Sequence, residues 1–190
     1  MGRRSDASAF VNRKISLLKT RPSSEVSAAL AELRRGAGKE PGSNPLLWEW
    51  TLEGLPDEGF GAEPSYLETS VYLAMTLFSV HQQGNDVQTK CMSVSSVRFG
   101  EAVRRLCKNE DDIDRMIKKI KAVTSADSIT SVAYYLRQLI SLLKSNGIGF
   151  DYADLAGDLY DFQFEEGRDR IVLKWARDFY KTKKIISEEE

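Results

Sequence analysis

The sequence predicts an all-α protein, a helical bundle of about eight helices, and three observations carry that expectation. Apolar residues recur at spacings of three and four along most of the chain. Gly, Pro and capping residues punctuate it at intervals of helical length. No stretch alternates apolar and polar residues as a half-buried strand does, and no repeat of fixed period is present.

The first helix is expected over 7–19, capped by Ser5 or Asp6, with Phe10, Ile15 and Leu18 on its apolar side. Pro22-Ser23-Ser24-Glu25 opens a second, whose stripe is Val26, Leu30 and Leu33 and whose stop is Gly36. Residues 37–44 read as a loop, 45–52 as a short apolar piece, and 53–63, with three glycines and a proline, as a second loop. Ser65 and Glu68 form a capping box for a helix running to about Gln83. Its apolar residues surround it almost completely, so it is expected to be buried between others.

After a polar linker near 84–94, further helices are expected over 96–108 (Phe99, Ala102, Val103, Leu106) and 111–123 (Ile113, Met116, Ile117, Ile120, Val123). Another covers 127–145, with Ile129, Val132, Leu136, Leu139, Ile140 and Leu143 inward and Gly147 beyond its end. Asp151 caps a segment to about Phe162, and 168–184 closes the fold. The linker suggests two packed halves, 1–87 and 95–190.

Composition bounds the function. Hydrophobic residues make up 42% and charged residues 29% of the chain, which is ordinary for a globular protein and excludes wholesale disorder. No apolar run approaches a membrane span, and Met-Gly-Arg-Arg-Ser-Asp lacks the apolar region of a signal peptide. Asp6 also breaks the myristoylation pattern. Cys91 and Cys107 form neither a disulfide framework nor a metal set, which suits a reducing cytoplasm.

Catalytic constellations are not found. His81 ends the buried helix without a nucleophile beside it and reads as a helix C-terminal contact. Cys107 reads as a small core residue, and Cys91 as a linker residue open to solvent. Gly36-Ala37-Gly38-Lys39 is no phosphate loop, because the glycines follow a helix and Glu40 stands where Ser or Thr is needed. Asp151, Asp154, Asp158 and Asp161 share one helix arc; a solvated face is the expectation, with docking of a basic partner or a divalent cation as functional alternatives. No enzyme activity, metal or cofactor is expected.

A net charge of −1 conceals four blocks of alternating sign. Lys and Arg against Asp and Glu number nine to four in 1–42, one to seven in 43–94, ten to six in 95–149 and seven to eleven in 150–190. Such blocks give a folded surface basic patches that attract phosphate and acidic patches that recruit basic surfaces. Arg34, Arg35 and Lys39 gather at a Gly-rich turn, and Arg98, Arg104, Arg105 and Lys108 lie largely outside their helix's apolar arc. Arg115, Lys118, Lys119 and Lys121 flank the next stripe, Arg137 and Lys144 share one side of the third, and Arg170, Lys174, Arg177 and Lys181 line the last helix. Each alone is an ordinary wet face; together they suggest a sequence-independent phosphate-binding surface.

Five segments, in order, carry a family resemblance: AALAELRRGAGK (28–39), TLFSVHQQ (76–83), FGEAVRRL (99–106), IGFDYADLAGDLYDFQ (148–163) and VLKWARDFY (172–180). Through them the chain resembles CasB, the small subunit of the type I-E CRISPR Cascade complex. Residues 88–95 and the acidic tail 187–190 are least like it. The resemblance implies a helical, non-catalytic protein of antiviral defence, present as paired copies. It would pack on the repeated backbone subunit and the large subunit of a crRNA-guided complex. Its basic surface would hold the displaced single-stranded DNA and steady the guide–target hybrid. Carried onto this chain, Arg34, Arg35, Lys39, Arg104 and Arg105 lead the expected contacts, joined by Arg98, Lys118, Lys119, Lys121, Arg137 and Lys144 from spacing and charge. Trp175 recurs at core spacing and is read as packing, not base stacking. The rival is a purely structural assembly subunit, whose basic blocks meet acidic protein surfaces.

Overall fold

A computed structural model describes residues 2–56 and 61–186. Part of the 53–63 loop and the acidic tail 187–190 lie outside them. The described residues form nine α-helices and one 3-10 turn, with an isolated parallel bridge between Ser93 and Phe150 as their only β-type pairing. The helices are α1 (Arg3–Thr20), α2 (Ser23–Gly36), α3 (Trp48–Thr51), α4 (Tyr66–Gln82) and α5 (Phe99–Arg104). They continue with α6 (Glu110–Thr124), α7 (Ile129–Ser145), α8 (Tyr152–Phe162) and α9 (Glu165–Ile186); the 3-10 turn, Pro45–Leu47, precedes α3. The all-α expectation holds.

α4 lies at the centre. Every residue from Ser70 to Gln82 is buried, because α1, α2, α7 and α8 all pack against it. The capping box forms as the sequence implies: Ser65 Oγ accepts from the Glu68 N–H, and Glu68 returns a carboxylate to the Ser65 N–H. α5 lies on α9, and α6 packs chiefly on α7. The core is one continuous cluster from Ala7 to Phe179, so α1 and the C-terminal helices share it. An aromatic chain crosses it from α4 to α9. Phe78 meets Tyr152 at 5.3 Å, Tyr152 stacks on Phe150 at 4.4 Å, and Phe150 meets Phe99 at 5.4 Å between ring centroids. Phe99 then meets Trp175 at 4.8 Å, so Trp175 is indeed packing. Each such pair adds roughly 0.5–1.5 kcal/mol beyond area burial.

Several boundaries move for tertiary reasons. α1 starts at Arg3 with Gly2 at its cap, not after Ser5 or Asp6, because Arg4 is anchored in helical geometry by α8. α5 is six residues long instead of thirteen. Before it, the backbone turns aside to bond a remote segment: the Val94 N–H donates to Phe150 O and the Asp151 N–H to Val97 O. After it, the Leu106 and Cys107 N–H groups close tight turns onto Val103 and Arg104. α7 begins at Ile129 with Ser128 as its cap, two residues later than expected, and α9 begins three residues early, at Glu165.

Residues 84–92 are tied down by Gln82, with Gln88 Nε2 donating to Arg21 O and Asp86 capping the turn within them. Gln82 Nε2 donates to the carbonyls of Asn85 and Lys90, while its Oε1 accepts from the Met92 N–H. Cys91 in this stretch is half-buried against the core rather than open, and its Sγ accepts from the Ser93 N–H.

Candidate nucleic-acid interface

Charge separates into a matched interior set and an exterior set that is matched only in part. The interior set corrects the expectation of a solvated acidic face. Asp158 is buried, its side chain 1% exposed, and its carboxylate accepts from Lys174 Nζ, Trp175 Nε1 and Arg4 Nη2. Lys174 also donates to both Asp154 oxygens, and Arg4 Nε pairs with Asp161 at 3.0 Å. Lys174 therefore leaves the basic stripe predicted for the last helix and turns inward. Gly157 makes the arrangement possible, since a Cβ there would run into Ser8 and Arg4 of α1. Burial pushes the Asp158 carboxyl above its ordinary value, and Lys174 pulls it back. Asp151 stands apart as the α8 N-cap, accepting from the Ala153 and Asp154 N–H groups.

His81 is another buried titratable group, packed against Tyr152. Its Nδ1 lies 3.1 Å from the Tyr152 hydroxyl, and Nε2 has no partner of good hydrogen-bonding geometry. Desolvation brings its pKa down to about 4; the Ile148 backbone opposes this and Lys144 assists it. His81 sits in the last turn of α4, as expected, and at neutral pH its ring is an uncharged core residue. Among the described residues no group of three or more His, Cys, Asp or Glu side chains is arranged to hold a metal ion.

The predicted phosphate contacts divide. Arg35 pairs with Glu32, Arg98 with Asp178 at 3.2 Å, and Arg105 with Glu101 at 2.6 Å. Arg104 is buried, its guanidinium 5.8 Å from the Phe179 ring centroid and its Nη1 donating to Cys107 O. Lys144 donates to Gln83 Oε1. Arg34 is half-buried, and Lys39, Lys118, Lys121 and Arg137 are exposed. None of these five, nor half-buried Lys119, makes an ion pair with a described residue.

The unmatched cations flank α7. On one side a cavity of about 320 Å³ between α6 and α7 is lined by Arg115, Lys118, Lys119, Ala122, Tyr135 and Gln138. Arg115 is partly committed to Asp112 at 3.0 Å; the two lysines are not. On the other side a groove of about 400 Å³ lies between the 37–41 loop, α4 and α7, and brings Lys39 together with Arg137. Those two residues are 98 apart in the chain. The loop is held in place by the Tyr72 hydroxyl, which donates to Gly36 O at 2.8 Å, and by the close approach of Gly36 to Leu47. α7 is the ridge between the two hollows. Tyr134 faces one and Tyr135 the other, their rings edge-to-face at 5.4 Å. Neither tyrosine was singled out by the sequence reading. The available signal was an adjacent aromatic pair lying off the Val132/Leu136/Leu139 stripe.

A family model described as CRISPR-associated protein Cse2 matches residues 29–180. Among solved structures, CasB from Thermobifida fusca is 29% identical with a TM-score of 0.77, the alignment covering 92% of this chain and 97% of that one. CasB from M. ruber is 25% identical with a TM-score of 0.67, covering 95% and 96%. No curated protein matches the chain.

Proposed function

The chain belongs to the Cse2 family of CRISPR-associated proteins, and from that membership we propose that it is the non-catalytic small subunit of a type I-E Cascade complex, holding nucleic-acid backbone on the basic surface that straddles α7. The observation that carries this reading is the set of unpaired cations Lys39, Lys118, Lys119 and Arg137 around two adjacent hollows. Cations without carboxylate partners can take a phosphate at once. Arg35, Arg98 and Arg105 must first leave a glutamate or aspartate and so contribute less, and Arg104 acts through packing.

The work of such a surface is binding free energy. Opening a duplex to form an R-loop is nearly balanced, so contacts that retain the displaced single-stranded DNA tip it. Each Lys or Arg that neutralises a phosphate releases counterion, giving affinity that falls with salt and ignores sequence. The remaining faces would serve a second copy of the chain, the repeated backbone subunit, the large subunit and the crRNA. The rival, a purely structural subunit, loses part of its acidic complement, because Asp154, Asp158 and Asp161 are spent within the chain.

Fluorescence anisotropy of the full chain with a labelled single-stranded DNA over a salt series tests the proposal. The expected result is sequence-independent binding with a steep negative salt slope. No binding at low salt removes the phosphate surface and leaves the structural role.

A further inference from the structure

The groove between the 37–41 loop and α7 is unlike a plain phosphate site, because its floor is apolar. Buried Leu73 and Leu77 form that floor, together with Thr76, whose hydroxyl is already spent on the Tyr72 and Leu73 carbonyls. Half-buried Ile129 and Ala133 form the α7 wall. The rim carries two unpaired cations, Lys39 and Arg137, and Tyr134, which is 62% exposed. A hydrophobic hollow does nothing for a phosphate. A flat π-faced group with phosphates on either side satisfies all three features at once: the ring against Tyr134 and the apolar wall, the charges on Lys39 and Arg137.

Resting on the nucleic-acid reading above, we propose that this groove receives an unstacked base of the bound single strand, with Tyr134 as its stacking platform and Lys39 and Arg137 on the flanking phosphates. Charge complementarity selects this occupant over an apolar peptide segment, which would leave both cations unanswered. The floor is apolar apart from Thr76, so the groove takes a base by its ring face, whichever base it is. Glu40, the acid on the rim, repels phosphate but can accept from an exocyclic amine, which favours bases that carry one. A duplex keeps its bases inside the stack and cannot use the groove, so the site distinguishes an open strand from a closed one.

The test compares two labelled oligonucleotides of equal length, one intact and one with abasic sites throughout its centre, against the full-length protein. Phosphate count is the same in both. The intact strand should bind about five- to a hundredfold more tightly, the range aromatic stacking on a base supplies. Tyr134→Ala should erase that difference, Tyr134→Phe should keep it, and circular dichroism should be unchanged because the side chain is exposed. Equal binding of both strands, with loss on Lys118→Glu/Lys119→Glu, overturns the base pocket and leaves the phosphate surface standing. Binding of neither strand overturns both. Unchanged oligonucleotide binding by Tyr134→Ala together with weakened self-association in sedimentation assigns the groove to a second copy instead.

Discussion

The α1–α8–α9 junction and the α6–α7 ridge are both crowded with charge, and they use it in opposite ways. At the junction Arg4 and Lys174 are matched to Asp154, Asp158 and Asp161, with Trp175 supplying a further donor. At the ridge Lys118, Lys119 and Arg137 have no carboxylate partner and stand beside hollows. The difference teaches that a cation's partner, more than its place in a charge block, decides whether it serves the fold or a ligand. Breaking a buried match leaves a stranded charge, whereas removing an exposed, unmatched cation costs the fold almost nothing.

The largest effect should follow from removing the central anion of the junction. Asp158→Asn leaves Lys174 and Arg4 with only Asp154 and Asp161 as carboxylate partners, and should cost about 1–3 kcal/mol in urea unfolding. A loss below about 1 kcal/mol would mean that the junction is not a stability element and would collapse the comparison. His81 sharpens it with a buried group that has no charge partner at all. Its folded pKa, about 4, lies below the ordinary 6.5. The unfolded chain therefore binds the proton first as pH falls. Stability is fully present above pH 6.5 and is lost progressively down to about pH 4, by about 3 kcal/mol in total. The measurement is unfolding free energy from pH 7 to 4; a slope identical in His81→Asn would reject the assignment.

At the ridge, Lys118→Glu/Lys119→Glu should weaken single-stranded DNA binding about tenfold and reduce the salt slope by about 1.4, since each phosphate contact contributes about 0.7. The melting temperature should not move. A fold that melts early instead would show these lysines doing what the junction does. Smallest of all, Arg105→Ala breaks only an exposed pair one turn apart on its helix. It should change stability by about 0.5 kcal/mol or less, read from the same unfolding curves.

Local features of the fold were legible in the sequence. Ser65 with Glu68, Asp151, and the all-round apolar surface of α4 each act over a few residues, and each is observed. What could not be read was set from far away. α5 is short because residues 94–97 bond to 150–151, and α1 begins early because Arg4 meets a carboxylate 154 positions on. For the same reason the aspartate stripe was visible as a stripe while its partners were not. Of the candidate interface, the cations on α6 and α7 could be named from spacing, but which remained unpaired depended on tertiary contacts. The meeting of Lys39 with Arg137, and the tyrosines between the hollows, are products of α7 packing beside α4.

The bridge from Arg4 to Asp158 also sets an order of events in synthesis. Arg4 is translated 154 codons ahead of the Asp158 carboxylate that it needs. The N-terminal helix can lay part of its apolar side on α4 early, but its ion pairs wait until α8 has emerged. The α1–α8 junction therefore closes late, and a polypeptide ending before Asp154 leaves Arg4 without its carboxylates.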